Sequence, residues 1–591
     1  MSDSELPRHP MRGRTAVFLG ALLLLLVVLV GIAWILHTRP RRVHRNHEIP
    51  LGEEYTYLAK KLGSPKNSFA FPREELEDDL DELEWLIENR YSYKDLKGVD
   101  YKRCLDHIRH GLDEKTRCGD FGYCLNKMMP LFGDGHTKIV GYRLSLEYLS
   151  TEFLPFLVGE SAGGLVAFKA DRSGFVDANF PYLQKLDGLP VETWLEAAGR
   201  FAAHGSPQYV RSHAIRNLRY LQCLRNELGL EQAGTVQVEL VSLDTASNTR
   251  IEMQLASDCP KYGFWPRPEK HAEEPEDFEV ESRVLEGNIG YLRFLFMSNE
   301  PEFKQELLDT MGEFKATSGL IIDIRGNGGG SRAPLKLLFP YFMSEEDPPR
   351  VVNVASYLES TEDREEVFAR RFLFPASSSH WSDAEREAIR QFSESFQPEW
   401  TPPRGQFSGW HFFVISPQAG PDYYHYEKPV VVLMNSFNFS ASDIFLGAFK
   451  GWRNVTLMGL PSGGGSGCRI KYRLHHTALG VYLSSMVSFQ PDGQLYDGKG
   501  VEPDILIMPS PEDFVGESDR VLQEAVDLIT SSPAQRSARA GCKSKFLMGA
   551  SVTGLAFALA DSVRNVAAVS QRGGIRQRIS ATCAKNSPAQ R

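Results

Sequence analysis

The chain has 591 residues, 42% hydrophobic, 24% charged and 11% aromatic, which is too long for one compact core and excludes collagen-like and disordered classes. Its net charge of −10 is unevenly placed: residues 1–50 hold seven Lys/Arg against three acids, 533–591 hold ten against one, and the stretch between holds 49 against 72. A body at −23 repels nucleic acid, whose affinity comes largely from cations replacing counterions, so nucleic acid is not an expected partner.

Thr15 to Leu36 is an apolar run of 22 residues, about 33 Å as a helix and enough for a bilayer core of roughly 30 Å. It ends in Trp34-Ile35-Leu36-His37 rather than in the small residues of a cleavage site, so it reads as a retained anchor followed by a tether to residue 50. Arginines flank both ends, at 8, 12 and 14 and at 39, 41, 42 and 45, so charge does not set the orientation. Residues 51–140 read as a helical region. Leu76, Leu80, Leu83 and Ile87 share one helical face over 72–90, with the acids expected in solvent, and a second helical stretch over 101–131 leads into Asp134-Gly-His-Thr137.

From 141 to 258 the pattern turns β-like, with short runs at 153–158, 165–168, 236–240 and 251–255. Residues 183–196 read as strand, Asp-Gly turn and helix. A Pro/Glu-rich linker over 259–285 opens a core that extends to 532, where strands at 289–296, 319–324 and 430–434 alternate with helices at 302–315 and 441–451. A helical insertion is expected over about 355–410 and a closing helix at 518–529, while the basic tail from 533 has no consistent period. The eight cysteines form no CxxC pair, so no metal site is expected; Cys104, Cys118 and Cys124 are spaced either for one disulfide or for buried thiols.

Three segments carry chemistry. Asp323-Ile-Arg-Gly-Asn-Gly-Gly-Gly330 ends a buried strand in glycines whose bare N–H groups suit an oxyanion or a phosphate, but no P-loop Lys-Ser/Thr is present after it. In Asn435-Ser-Phe-Asn-Phe-Ser440-Ala-Ser-Asp443, a serine at a strand-to-helix junction serves equally as nucleophile or as helix cap. Gly459–Gly467 and Pro491–Asp504 are loop punctuation taken singly.

In order and spacing, IGYLRF (289–294), GLIIDIRGNGGG (319–330), PVVVLMNSFNFSASDIF (429–445), GLPSGGGSG (459–467) and PDGQLYDGKGVEPDI (491–505) resemble the tail-specific, C-terminal-processing serine peptidases and their tricorn-core relatives. The resemblance covers roughly 55–530. It implies an α/β (α+β) protein: a helical N-terminal region, a β-rich PDZ-like module that helps present substrate tails, and a mixed-sheet crotonase-like core, to which the apolar run at 15–36 adds one preceding transmembrane helix. It implies Ser440 as nucleophile and an oxyanion hole from Ala441 N–H and a glycine of 328–330, Gly328 or Gly329. The lysine base of the tail-processing members is missing, because Gly465 or Ser466 stands in its place and no lysine lies between Lys450 and Lys471. The tricorn-type histidine base matches His136, and the position of its acidic partner matches Asp497. His475 and His476 are rival bases. The expected protein is a membrane-anchored serine peptidase acting on proteins or peptides, without cofactor, its catalytic body extracytoplasmic. The alternatives are a catalytically inactive ligand carrier and a peptide-holding scaffold.

Overall fold

The computed structural model describes residues 69–141, 144–244, 247–263, 280–360, 364–420 and 423–531. The predicted anchor and the basic tail lie outside these residues. Among the described residues no helix is long and apolar enough to cross a membrane.

The N-terminal region is helical: α1 Arg73–Arg90, α2 Tyr101–His110 and α3 Cys118–Met128, with a one-turn helix at Lys94–Lys97. The continuous helix expected over 101–131 is broken because Lys115–Arg117 pairs as a strand with Ala70–Pro72. Asp79, in the acidic run of α1 expected in solvent, is fully buried instead. It accepts from the backbone N–H groups of His476 (2.8 Å) and Thr477 (2.9 Å) and from Thr477 Oγ1 (2.6 Å), which satisfies a turn that would otherwise bury its donors. A short strand, β1 Lys138–Val140, leaves this region immediately after His136.

The middle module is a sheet of β2 Phe156–Ser161, β3 Gly164–Lys169, β4 Tyr182–Leu186, β5 Thr235–Val241 and β6 Asn248–Gln254, in that order, with β2 at its edge. The expected Asp187-Gly188 turn is present, both residues at positive φ (46° and 76°), and leads to α4 Val191–Gly199. Two further helices cover the sheet, α5 Pro207–Asn217 and Leu221–Leu228. Ser206 caps α5 by accepting from Tyr209 N, and Pro207 supplies its first residue.

The core sheet runs β7 Val280–Leu285, β8 Ile289–Phe294, β9 Gly319–Asp323, β12 Val430–Met434, β13 Val455–Gly459, β17 Ile505–Leu506; only the β7–β8 pair is antiparallel. Its central strands are apolar along most of their length because both faces are covered. Leu320, Ile322, Val430 and Val432 pack with α6 Pro301–Glu313 and α8 Ala441–Phe449, while Ile321, Val431 and Met458 pack with α9 Arg520–Thr530.

The insertion expected to be helical does hold a helix, α7 Asp383–Ser395, capped by Ser382 and Glu385, but strands flank it. These are β10 Arg350–Tyr357 and β11 His411–Ile415, which pair with each other, and β10 also pairs with β16 Met486–Phe489. The hairpin β14 Arg469–Arg473 and β15 Gly480–Ser484 takes β1 as its third strand. The segment carrying His136 is thereby tied to the core. Cys104, Cys118 and Cys124 are free thiols, and the disulfide considered for them is not formed.

Candidate active site

Ser440 stands between β12 and α8 with φ 62° and ψ −117°, a region a non-glycine residue rarely occupies. Such a conformation costs of order 1–3 kcal/mol and persists only where the surroundings impose it. Three asparagines impose it. Asn435 Oδ1 accepts from Gly326 N–H (3.0 Å) and Phe437 N–H (3.1 Å), and Asn438 Oδ1 accepts from Asn435 N–H (2.7 Å). Asn327, fully buried, accepts through Oδ1 from Ser442 Oγ (2.9 Å) and Gly329 N–H (2.9 Å). The two loops that leave β9 and β12 are one hydrogen-bonded unit.

The capping role left open for Ser440 is not used: its side chain caps nothing. Its Oγ lies 3.3 Å from His136 Nε2, across 304 residues of sequence. His136 is 8% exposed, and its ring packs against Phe439 (centroids 4.7 Å apart). Burial pushes the imidazole down to about 4; Asp134 pulls it partly back, while Arg469, Arg371 and Lys138 depress it further. The neutral ring is the form that accepts a proton.

The carboxylate beside this ring is Asp134. Its Oδ1 accepts from His136 N–H (2.9 Å) and lies 3.8 Å from Nδ1, and its Oδ2 accepts from Thr137 Oγ1 (2.6 Å). Asp134 thus fixes the backbone that carries His136. Asp497, 4% exposed, forms an ion pair at 2.8 Å with Lys97, whose Nζ also donates to Gly133 O at 3.2 Å. Burial raises the Asp497 carboxyl to about 7; Lys97 opposes this, and Asp134 and Asp443 add to it. Ser440 and His136 are therefore brought into contact, while Asp497 pairs with Lys97. The sequence assigns no role to Asp134 or Lys97, although Asp134 opens the motif that carries His136. The rivals lie elsewhere: His475 and His476 donate their backbone N–H groups to Glu82 and Asp79 of α1.

Gly329, at φ 102°, presses on Ser440: a Cβ there would lie 2.8 Å from Ser440 Cβ and from Ala441 N, and 2.5 Å from Phe439 O. Its own N–H is donated to Asn327, whereas the N–H groups of Gly328 and Ala441 meet no acceptor among the described residues. The Ala441 N–H opens α8, where the helix dipole favours a developing negative charge.

The glycine turn 462–467 wraps the start of α8. Ser462 Oγ and the N–H groups of Gly464 and Gly465 donate to buried Asp443, whose carboxyl burial nevertheless raises to about 7. A Cβ on Gly465 would lie 2.2 Å from Phe439 Cζ. The ring that packs on His136 thus occupies the room a side chain at 465 would need. The middle module supports the same turn, since Ser206 Oγ donates to Gly463 O (2.7 Å) and Gln208 Nε2 to Ser462 O (2.8 Å). Tyr209 packs on Phe439 at 5.3 Å.

Residues 288–507 match the sequence model of Peptidase family S41. The carboxy-terminal-processing protease of Bartonella bacilliformis is 33% identical over 91 residues, 15% of this chain and 21% of that protein. The tricorn protease homolog of Saccharolobus solfataricus is 32% identical over 107 residues, 18% of this chain and 10% of that protein. The chain thus spans about a fifth and a tenth of the length of these curated relatives. Among solved structures, mature CPAF has the same fold, with a TM-score of 0.55 at 18% identity over 77% of this chain and 96% of that one.

Proposed function

We propose that this chain, which carries a Peptidase family S41 domain over residues 288–507, is a serine peptidase that hydrolyses peptide bonds with Ser440 as nucleophile and His136 as general base. The observation that carries the reading is the 3.3 Å approach of His136 Nε2 to Oγ of a serine held at φ 62°. Neutral Nε2 takes the Ser440 proton as Oγ attacks the substrate carbonyl carbon, and the oxygen of the tetrahedral adduct takes the negative charge. Ala441 N–H and a glycine N–H of 328–330 face that oxygen, and His136 returns its proton to the leaving amine. Water then repeats the sequence on the acyl-serine. Asp134 holds the base, and the Lys97–Asp497 pair backs it.

The run at 15–36 holds the catalytic body to a membrane, outside the cytoplasm. Proteins or peptides are the substrates, as for the carboxy-terminal-processing protease and the tricorn homolog. The test is labelling of the full chain with a fluorophosphonate, beside Ser440→Ala and His136→Ala. Labelling that requires both residues, with hydrolysis of denatured casein lost in both variants, is expected. An unlabelled wild-type chain would return it to the ligand-carrier class.

A further inference from the structure

β2 is the free edge of the module sheet, and α5 lies along it. Opposite Val158 on the neighbouring strand, Ala167 directs its N–H to Pro181 O and its C=O to Val176 N–H, away from β2. Val158 therefore turns its own N–H and C=O outward, into the space between β2 and α5. An extended peptide that joins a sheet edge uses such a pair.

This pair is already taken by the chain itself. Tyr262 Oη donates to Val158 O at 2.9 Å and accepts from Val158 N–H at 3.2 Å. Oη also lies 3.4 Å from Ile215 O on α5, so one phenol bridges both walls. The segment is pinned from behind: Arg172 Nη2 donates to Tyr262 O (3.1 Å) and Arg219 Nη1 to Pro260 O (3.1 Å). The Arg216 guanidinium stands 5.1 Å from the Tyr262 ring and 3.6 Å from that of Phe437, three residues before the nucleophile. A cavity of about 230 Å³ opens here, lined among others by Val158, Phe168, Ile215, Phe437 and Phe514. It can take an apolar side chain of a peptide lying along β2.

We propose that Tyr262 is a built-in plug of this groove, and that an extended peptide docks on β2 by strand addition only where residues 260–263 have left it. The inference deepens the peptidase reading by naming the device that controls admission of its substrate, and it rests on that reading only for the cleavage of a docked peptide. A tethered group competes at a high effective concentration, so weakening its hold raises the fraction of open molecules and hence the apparent affinity for the incoming peptide.

The probe is fluorescein-labelled, reduced and carboxymethylated casein, and its binding to the full Ser440→Ala chain is measured by anisotropy. Tyr262→Phe keeps the ring and removes both bonds to Val158, so casein should bind about three- to tenfold more tightly. Tyr262→Ala should give at least that gain. In the Ser440 chain the same change should lower the KM for casein with kcat nearly unchanged, and leave hydrolysis of a four-residue chromogenic peptide as it was. Hydrogen exchange requires no substitution at 262: saturating casein should speed exchange in 256–263 and keep Val158 N–H protected. Equal or weaker binding by Tyr262→Phe with an unaltered melting profile sinks the plug, as does unchanged exchange in 256–263 at saturation. A gain in binding by a chain that hydrolyses nothing leaves the plug standing and removes the peptidase.

Discussion

Lys97 Nζ joins Asp497 Oδ1 at 2.8 Å, while Asp134 Oδ1 is the carboxylate oxygen facing His136 Nδ1, at 3.8 Å. Of the two acids, Asp134 stands beside the imidazole and Asp497 pairs with Lys97. In the proposed mechanism a carboxylate near Nδ1 stabilises the imidazolium formed as Ser440 attacks, and losing that charge while keeping the shape is costly in such relays. Asp134→Asn should lower kcat/KM by about 10²- to 10⁴-fold with little loss of stability, because the amide oxygen still accepts from His136 N–H. Asp497→Asn should cost less, about tenfold, since its immediate partner is Lys97. The comparison is kcat/KM on one peptide, with melting profiles beside it. The reverse order would show that the imidazole turns to Asp497 during turnover.

The buried, neutral His136 also links stability to pH. Its pKa is about 4 in the folded protein against the ordinary 6.5 of an unfolded chain, so between these values the unfolded chain binds the extra proton. This contribution is therefore neutral above pH 6.5 and destabilises progressively as the pH falls toward 4. Going from pH 7.5 to 4.5 should cost roughly 2–3 kcal/mol through this group alone. In His136→Gln that part should vanish, so urea unfolding of the two chains at both pH values should show the variant gaining relative to wild type in acid. For the same reason the acid limb of kcat/KM that belongs to His136 should lie below about pH 6. A pH-independent difference between the two chains contradicts the buried-base description.

Gly329→Ala tests the room beside Ser440. The added methyl would press on Phe439 O, Ser440 Cβ and Ala441 N together, on a residue whose φ of 102° already disfavours a side chain. We expect a fall of about 10²-fold or more in kcat, the scale seen when one oxyanion donor is removed, and a slower fluorophosphonate reaction. Gly328→Ala, with open space at its Cβ, is the matched control and should keep most activity. Equal losses in both would mean that the loop's flexibility, rather than the room beside Ser440, is the property the glycines provide.

Much of this site is legible in the sequence because its parts are local. The strand–Ser440–helix junction, the glycine loop and His136 each lie within a short motif, and the order of those motifs does the rest. Some local signals are too faint to read: Ser206-Pro207 is a cap with a first-turn proline, enough to start α5, yet it sits among Arg-rich residues with no clean apolar face. The acidic period of the insertion reads as helical, but β10 and β11 flank α7 because β16, which begins 129 residues after β10 ends, offers an edge. Composition places Asp79 in solvent because it cannot reveal a turn folded back from 397 residues away. The Phe439–Gly465 contact, the Lys97–Asp497 pair and the Tyr262 plug are likewise relations between distant segments. Periodicity records which face a residue turns inward and is silent about the partner it will meet there.

The three-stranded sheet β14–β15–β1 sets a timetable for the enzyme. His136 leaves the ribosome with the first quarter of the chain, and Ser440 emerges 304 residues later. β1, the strand that seats His136, finds its partner only when Gly480–Ser484 has been made. Contacts of such long sequence separation form late, because closing the loop costs entropy before any contact is gained. Until then the growing chain holds Ser440 without the strand that seats His136. The approach of His136 to Ser440 thus forms close to the completion of the core, and a chain lacking β15 also lacks the strand that holds β1 in place.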